Sequence, residues 1–370
     1  MKKILALVLA LAMVATFAAC GGDTKDDKKD GSSAADKVTA EYKLGMGTVV
    51  NLDSSEDSLA QADTTVATVV TDKDGKIVSC DIDVAQTKVI VEGGVVDVEG
   101  TDLRTKTEKG ADYGMTAAVN FGMDWNGDGV VKEWFEQAKV FEDYVIGKTA
   151  DQVKNIKTAE VEGHGYVIAA EDDLLKAGCT IQISEFITAV VNACNDADAK
   201  TFTAAEGFKL GLDIDTVIDE STDAADGADA NVCLYSDFAA TVVDADGKII
   251  TSIIDAVQPK VAVSKDGAIG EKTFVNTKRG LKADYGMAAA VNYGMDWNGD
   301  GVVKEWFEQA KAFEDYIAGK TADEVKNIKT SEVEGHGYVI AADDALLNAG
   351  CTIQISSFMA VTANAIANAD

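Results

Sequence analysis

A six-residue run with alternating oxygen side chains, of the kind that binds metal ions, occurs twice in this chain. The run from Asp124 to Gly129 alternates oxygen side chains and ends in glycine, as in positions 1, 3, 5 and 6 of a calcium loop. Position 12, which normally supplies a bidentate carboxylate, is Phe135. The pattern predicts either a weak Ca²⁺ site that needs a further ligand or an Asx-rich turn that begins a helix. The candidate ligands are Asp124, Asn126, Asp128, Asp296, Asn298 and Asp300.

A second pair of segments, 105–113 and 277–285, places lysine near a hydroxyl and a tyrosine in an otherwise acidic chain. A hydroxyl and a lysine can hold an anionic group, and tyrosine can stack on a flat ring. The alternative is a polar loop whose tyrosine packs on the core. The candidate cofactor-binding residues are Thr105, Lys106, Tyr113, Thr277, Lys278 and Tyr285.

The two histidines, His164 and His336, each lie between glycines, which indicates a tight turn. Without nearby cysteines or acidic partners, they favour a structural role over catalysis. The sequence contains no G-x-S-x-G or HExxH motif, so it offers no support for a hydrolase. No catalytic residue is predicted, and a turnover enzyme is not expected.

These paired features belong to a tandem duplication. The block that begins at Gly122 returns at Gly294, and the blocks at Asp112 and Gly163 return with the same shift of 172 positions. A period of this length is close to the size of an ordinary domain. We therefore predict two homologous domains, repeat 1 (40–196) and repeat 2 (203–370). A short linker, Asp196 to Lys200, joins them.

Each copy is predicted to begin with a β-rich half and to continue with a helical half. Strand patterns cover 65–71, 77–84 and 88–96, with a glycine turn at 72–76. Trp134 begins a helical stripe that stops at Gly147, and a short helix follows Thr149. A strand over 179–183 and a last helix capped by Ser184 complete the copy. The expected class is α+β, an antiparallel β-meander with helices packed on one face.

The N-terminus indicates export. Residues 1–19 combine two lysines, a short apolar run and small residues, as in a secretory signal peptide. Cys20 at the junction resembles the lipidated cysteine of a bacterial lipoprotein. Residues 20–39 would then be a lipidated cysteine and a flexible tether on the outer face of the cell membrane. A non-lipidated signal with an incidental cysteine is the alternative.

Charge and cysteine content narrow the function classes. A net charge of −30 disfavours nucleic-acid binding and docking on anionic lipid surfaces. The cysteines after Cys20 number five and are not duplicated as pairs, so they are predicted to be buried apolar residues. The sequence leaves one alternative, a single disulfide bridge from Cys194 to either Cys80 or Cys233.

The order of short motifs resembles a family of clostridial-type surface lipoproteins related to FMN-binding domain proteins. These relatives include flavinylated lipoproteins of extracellular electron transfer and precursor lipoproteins of peptide pheromones. The motifs are Lys43-Leu44-Gly45-Met46-Gly47, Asp74-Gly75-Lys76-Ile77, Asp112-Tyr113-Gly114-Met115, Lys132-Glu133-Trp134 and Cys179-Thr180-Ile181. The resemblance implies an FMN-carrying module that passes electrons from a membrane donor to an external acceptor.

One departure from this family bears on the flavin. The Ser/Thr-Gly-Ala-Ser/Thr acceptor of covalent flavinylation is absent, because Gly110-Ala111 is followed by Asp112. FMN would therefore be held without that bond or accepted by Thr105 and Thr277, or the fold is kept without flavin. The competing function is a non-enzymatic surface binding or antigen lipoprotein, stabilised by Ca²⁺.

Overall fold

The structure is a computed structural model that describes residues 39–117, 129–163, 165–289, 301–335 and 337–370, with Asp124, Gly127, Asp296 and Gly299. The predicted signal peptide, Cys20 and most of the tether lie outside the described residues. The same holds for Asn126, Asp128, Asn298, Asp300, His164 and His336.

Fifteen strands and ten α-helices are formed by the described residues. The strands are β1 (Thr39–Asn51), β2 (Leu59–Asp72), β3 (Ile77–Glu92), β4 (Val95–Val96), β5 (Thr158–Glu160), β6 (Val167–Ala169), β7 (Lys200–Ala205), β8 (Lys209–Val217), β9 (Ala230–Cys233), β10 (Tyr235–Val243), β11 (Ile249–Val257), β12 (Lys260–Val263), β13 (Ile269–Thr273), β14 (Thr330–Glu332) and β15 (Val339–Ala341). The helices are α1 (Lys106–Lys109), α2 (Trp134–Val145), α3 (Ala150–Lys154), α4 (Asp172–Lys176), α5 (Ser184–Cys194), α6 (Lys278–Leu281), α7 (Trp306–Ile317), α8 (Ala322–Lys326), α9 (Asp344–Asn348) and α10 (Ser356–Asn368).

The main sheet of repeat 1 is antiparallel in the order β4-β3-β2-β1-β7. Both faces of β2 are covered, since every residue between its two ends is buried. Ala67 and Val69 face a core shared with α2 and α5, whereas Val66 and Val70 face a second core. This alternation follows from the two-residue period of a strand.

The second core joins the two repeats. Val66 of β2 and Val242 of β10 belong to the same buried cluster, so the sheets of the two repeats pack face to face. The outer face of β10 carries α7 and α10, as the outer face of β2 carries α2 and α5. Both repeats therefore lie in one compact unit, Val38–Asp370. Strand β7 begins at Lys200, the last residue of the predicted linker, and pairs with β1.

The α+β class with antiparallel strands is confirmed, as is the turn at 72–76. In that turn the Asp72 carboxylate accepts the backbone N–H groups of Asp74 and Lys76, each at 2.9 Å. The helix from Trp134 is confirmed as α2, and Thr149 caps α3 as predicted.

Three predicted elements were wrong. The strands expected over 77–84 and 88–96 are not separate: β3 runs without a break from Ile77 to Glu92, and after the turn at Gly93 and Gly94 only Val95 and Val96 form a second strand, β4. Ser184 is the first residue of α5, and Ile183 occupies the capping position. Residues 179–183 form no strand, because a backbone N–H of this segment bonds to the buried side chain of Gln137 and not to a neighbouring strand. Its Oε1 atom accepts the backbone N–H of Thr180 at 2.8 Å.

The prediction for the cysteines is confirmed: Cys80, Cys179, Cys194, Cys233 and Cys351 are free thiols, and all but Cys194 are buried. Burial raises the pKa of the Cys179 thiol to about 12. These thiols are therefore protonated at neutral pH and poorly reactive. Within the described part of the chain, no helix has the length and apolar character required to cross a bilayer.

Candidate functional site

A cavity of about 370 Å³ lies between the sheet and the helices of repeat 1, and we call it the repeat-1 pocket. Strands β2 and β3 form one wall, and helices α2 and α5 form the opposite wall. Side chains that line it include Asp63, Thr65, Gln86, Lys106, Tyr113, Met115, Trp134, Tyr166, Gln182, Glu185 and Phe186.

A smaller cavity of about 220 Å³, the repeat-2 pocket, occupies the equivalent place in the second copy. Its lining residues include Tyr235, Gln258, Lys278, Tyr285, Met287, Trp306, Tyr338, Gln354, Ser357 and Phe358. With the shift of 172 positions, a lysine, two tyrosines, a tryptophan, a methionine and two glutamines are common to both pockets. The structure thus brings together Lys106 with Tyr113, and Lys278 with Tyr285.

The predicted threonines have a different role. Thr105 is 1% exposed and caps α1: its hydroxyl accepts the N–H of Glu108, whose carboxylate accepts the N–H of Thr105. Thr277 caps α6 by accepting the N–H of Gly280 at 3.1 Å. Neither residue lines the pocket of its repeat, so these hydroxyls fix the helix starts that position Lys106 and Lys278.

In the repeat-1 pocket, Lys106 lies among aromatic rings. Its Nζ atom is 5.2 Å from the centre of the Tyr113 ring and 5.5 Å from that of Trp134. The Tyr113 hydroxyl donates to Oε1 of Gln86 at 3.2 Å. These contacts place a cation and an amide beside two flat apolar surfaces.

Lys278 is held more closely in the repeat-2 pocket. It is 7% exposed, and its Nζ atom lies 4.4 Å from the Tyr235 ring centre and 5.1 Å from that of Tyr285. The ammonium group also donates to the Tyr235 hydroxyl at 3.1 Å. Tyr235 in turn donates to Oδ1 of Asp237 at 2.9 Å, and burial keeps the tyrosine pKa well above its usual value.

Sequence reasoning missed two carboxylates of the repeat-1 pocket. The Glu185 oxygens accept from Asn51 at 3.0 Å and from Thr65 at 3.1 Å. Oδ2 of Asp63 accepts from Nε2 of Gln61 at 2.7 Å. The signal available in the sequence was a difference between the copies, since Tyr235 stands at the position equivalent to Asp63.

The proposed calcium ligands are only partly described. Oδ2 of Asp124 accepts the N–H of Gly129 at 2.9 Å, and Oδ2 of Asp296 accepts that of Gly301 at the same distance. Each bond joins the first residue of the run to the glycine five positions later. Among the described residues, no three His, Cys, Asp or Glu side chains are grouped to hold a metal ion. Calcium binding stays a prediction.

Glu133 holds the segment that contributes Met115 to the repeat-1 pocket. This carboxylate is 7% exposed, accepts the N–H of Met115 at 3.0 Å and contacts the hydroxyl of Thr116. Glu305 makes the equivalent bond to Met287 at 2.9 Å. One carboxylate in each repeat, buried in repeat 1 and half-buried in repeat 2, therefore ties the segment after the tyrosine to the start of α2 or α7.

We expect Glu133→Ala to lower the free energy of unfolding by about 2 kcal/mol, because buried N–H donors lose their acceptor. Urea denaturation followed by circular dichroism measures this change. Glu160→Ala, at an exposed position of β5, is the control and should stay within about 0.5 kcal/mol of the parent. Equal stability of the two variants would contradict the anchoring role of Glu133.

Comparisons with known proteins give limited information. No family model matches the chain. Over 168 residues it is 30% identical to a chlorophenol reductase from Desulfitobacterium hafniense, which covers 41% of this chain and 43% of that protein. The chain thus spans less than half the length of this relative. A solved Bacteroides fragilis protein with a YmcC-like fold covers 65% of this chain and 95% of its own at 7% identity, but its TM-score of 0.12 supports no shared fold.

Proposed function

We propose that the chain is a non-enzymatic electron carrier that binds the ring of FMN in the repeat-1 pocket. The observation that carries the proposal is the retention of the same lysine, tyrosine, tryptophan and glutamine side chains around a cavity in both repeats. The family resemblance described above supports flavin as the ring. The partial relative, named a chlorophenol reductase, is itself a protein of reductive chemistry.

The residues of the repeat-1 pocket fit the ring of a flavin. Trp134 and Tyr113 offer apolar faces, and Gln86 offers an amide to the polar edge of a ring. The volume of about 370 Å³ lies in the usual range for small-molecule pockets, whereas the 220 Å³ of the repeat-2 pocket lies below it. Asp63 and Glu185 would repel a phosphate, so Lys106 is the group suited to hold it.

In this proposal the flavin supplies one- and two-electron redox chemistry, and the protein supplies its binding and its electrostatic surroundings. Lys106 orients the cofactor, while the aromatic side chains exclude water from the ring. A lipid anchor at Cys20, on the outer face of the cell membrane, would keep the carrier between a membrane donor and an external acceptor.

FMN binding to the full chain tests the proposal. We expect quenching of flavin fluorescence with saturation below about 100 µM FMN, since a carrier outside the cell must retain its cofactor. Lys106→Met should weaken FMN binding about tenfold and leave riboflavin, which lacks the phosphate, unchanged. Lys148→Met is the matched control, because Lys148 also lies over a tyrosine ring, at 4.0 Å from its centre, but outside the pocket.

Absence of quenching for both FMN and riboflavin would overturn the flavin proposal. An equal loss of riboflavin and FMN binding in Lys106→Met would remove the phosphate role of the lysine and leave the ring site in place.

A further inference from the structure

Asp63 is a buried carboxylate with one oxygen that has no partner. The residue is 9% exposed and lines the repeat-1 pocket. Its Oδ2 atom is bonded to the amide of Gln61, but Oδ1 is buried and has no hydrogen-bond partner. Leaving a buried carboxylate oxygen unpaired is costly, and native proteins seldom do so without a functional reason. An acceptor of this kind, beside an aromatic cavity, is suited to a hydrogen-bond donor carried by a ligand.

At the position of repeat 2 that is equivalent to Asp63, the hydrogen-bond donor comes from the protein itself. Tyr235 replaces Asp63 there, and its hydroxyl accepts from the ammonium group of Lys278. Lys278 is buried against the tyrosine, while Lys106 is half-buried. Ser357 replaces Glu185, and the carboxylate that lines the repeat-2 pocket is Glu220, which accepts from the amide of Gln258. The smaller volume of the repeat-2 pocket agrees with this internal filling.

We propose that the repeat-1 pocket binds a planar aromatic ligand whose edge carries an N–H group that donates to Oδ1 of Asp63. Aromatic walls provide the flat surface, and the unpaired oxygen selects the donor. The repeat-2 pocket, filled by the contact between Lys278 and Tyr235, does not bind this ligand in the same way. The two copies have therefore diverged, and the chain binds one such ligand rather than two.

Two sources could present this chemistry. One is the imide N–H of a flavin ring, in which case the inference rests on the proposed function. The other is a protonated aromatic amine, which the acidic chain would also attract. Riboflavin and proflavine, a planar cation with a protonated ring nitrogen, are the probes that separate them. 3-Methylriboflavin, which has a methyl group in place of the imide hydrogen, is the matched ligand without a donor.

Titration of the full chain with these probes, followed by calorimetry, tests the inference. We expect riboflavin to bind with a stoichiometry of one, and 3-methylriboflavin to bind at least about tenfold more weakly because it leaves Oδ1 unpaired. Asp63→Asn should weaken riboflavin binding by a similar factor. With the amide oxygen kept on Gln61, the amide nitrogen would take the place of Oδ1 and could not accept a hydrogen bond from the ligand. Asp57→Asn, at an exposed position, is the control and should bind as the parent does.

A second measurement distinguishes the loss of a ligand contact from the loss of the fold. In the ligand-free state, Asp63→Asn should melt at a higher temperature than the parent, because a neutral amide is less costly to bury than a half-paired carboxylate. A variant that gains stability and loses binding has lost a ligand contact, not its fold.

The possible outcomes are distinct. Equal binding of riboflavin and 3-methylriboflavin, with Asp63→Asn unaffected, would overturn the role of Asp63 and leave the flavin proposal standing. Binding of proflavine but not riboflavin, lost in Asp63→Asn, would support the donor site and overturn flavin as its ligand. Binding of neither probe, or of two equivalent riboflavin molecules per chain, would overturn the inference.

Discussion

Gly211→Ala is expected to lower the free energy of unfolding by about 3 kcal/mol, the upper part of the range for overpacking a well-packed interior. A Cβ atom at this position in β8 would lie 1.9 Å from the backbone oxygen of Ala365 in α10. No side chain can rotate away to relieve this contact, so the helix would have to move off the sheet. The same change at Gly45 of β1 would place Cβ 2.1 Å from the oxygen of Ala193 in α5.

Gly45 and Gly211 occupy the same place in the two repeats. Gly45 pairs with Val69 in β2, and Gly211 pairs with Thr241, the residue 172 positions after Val69. Ala193 and Ala365 are also related by this shift. The duplication has therefore kept a close strand–helix approach that only glycine permits, and we expect Gly45→Ala to cost as much as Gly211→Ala.

Gly270→Ala provides the control for both variants. Gly270 also lies in a strand, β13, but the nearest atom to its added Cβ is the Ala262 methyl group at 3.2 Å. We expect less than about 1 kcal/mol of destabilisation there. Urea denaturation of the three variants makes the comparison. A loss at Gly211 no larger than that at Gly270 would show that α10 adjusts freely over the sheet.

The fold was predictable from sequence where the signal is local. The stripe of Trp134, Phe141 and Val145 gave α2, and the Asp72 turn gave the hairpin between β2 and β3. The strand expected over 179–183 was wrong because apolar alternation does not reveal whether a backbone N–H bonds to another strand or to a side chain. Here Gln137, 43 residues away, is the acceptor.

The candidate site was predictable only in part. Lys106 and Tyr113 lie in one short segment, so their proximity was readable from the chain. Asp63 and Glu185 come from β2 and α5, and their place in the same pocket follows from packing over a long sequence separation. The face-to-face contact of the two sheets was likewise not predictable, because alternating apolar residues on both faces of β2 do not identify the partner.

Two carboxylates of repeat 1, half-buried Asp81 and buried Glu142, affect stability. Oδ2 of Asp81 accepts the N–H of Leu212 at 3.0 Å, and Oε1 of Glu142 accepts that of Ile82 at 2.9 Å. Burial raises the pKa of Asp81 to about 7, with a contribution from the charge of Asp83. Burial also raises the pKa of Glu142 to about 8, with a contribution from the charge of Asp81. In repeat 2, Glu314 forms an ion pair with Lys200, as Glu142 does with Lys139 at 3.6 Å, but Ile253 stands at the position equivalent to Asp81.

Protonation of this pair should therefore stabilise the fold. An acid whose pKa is raised on folding binds its proton more tightly in the folded state, so its contribution is complete below the unfolded pKa near 4. The contribution is lost as the pH rises through the higher folded pKa. The free energy of unfolding contributed by Asp81 and Glu142 thus falls between about pH 4 and pH 8, opposite to the behaviour of a salt-bridged carboxylate.

Asp81→Asn separates this effect from all other titrating groups. An amide can still accept the Leu212 N–H but carries no charge, so we expect the variant to exceed the parent in stability by roughly 2 kcal/mol at pH 8. At pH 4, where the parent acid is protonated, the two should be equal. Asp143→Asn, whose carboxylate is exposed on α2, should match the parent at both pH values. A gain for Asp81→Asn that is the same at pH 4 and pH 8 would assign the effect to packing, because only the repulsion between Asp81 and Glu142 and the burial of their charges depend on pH.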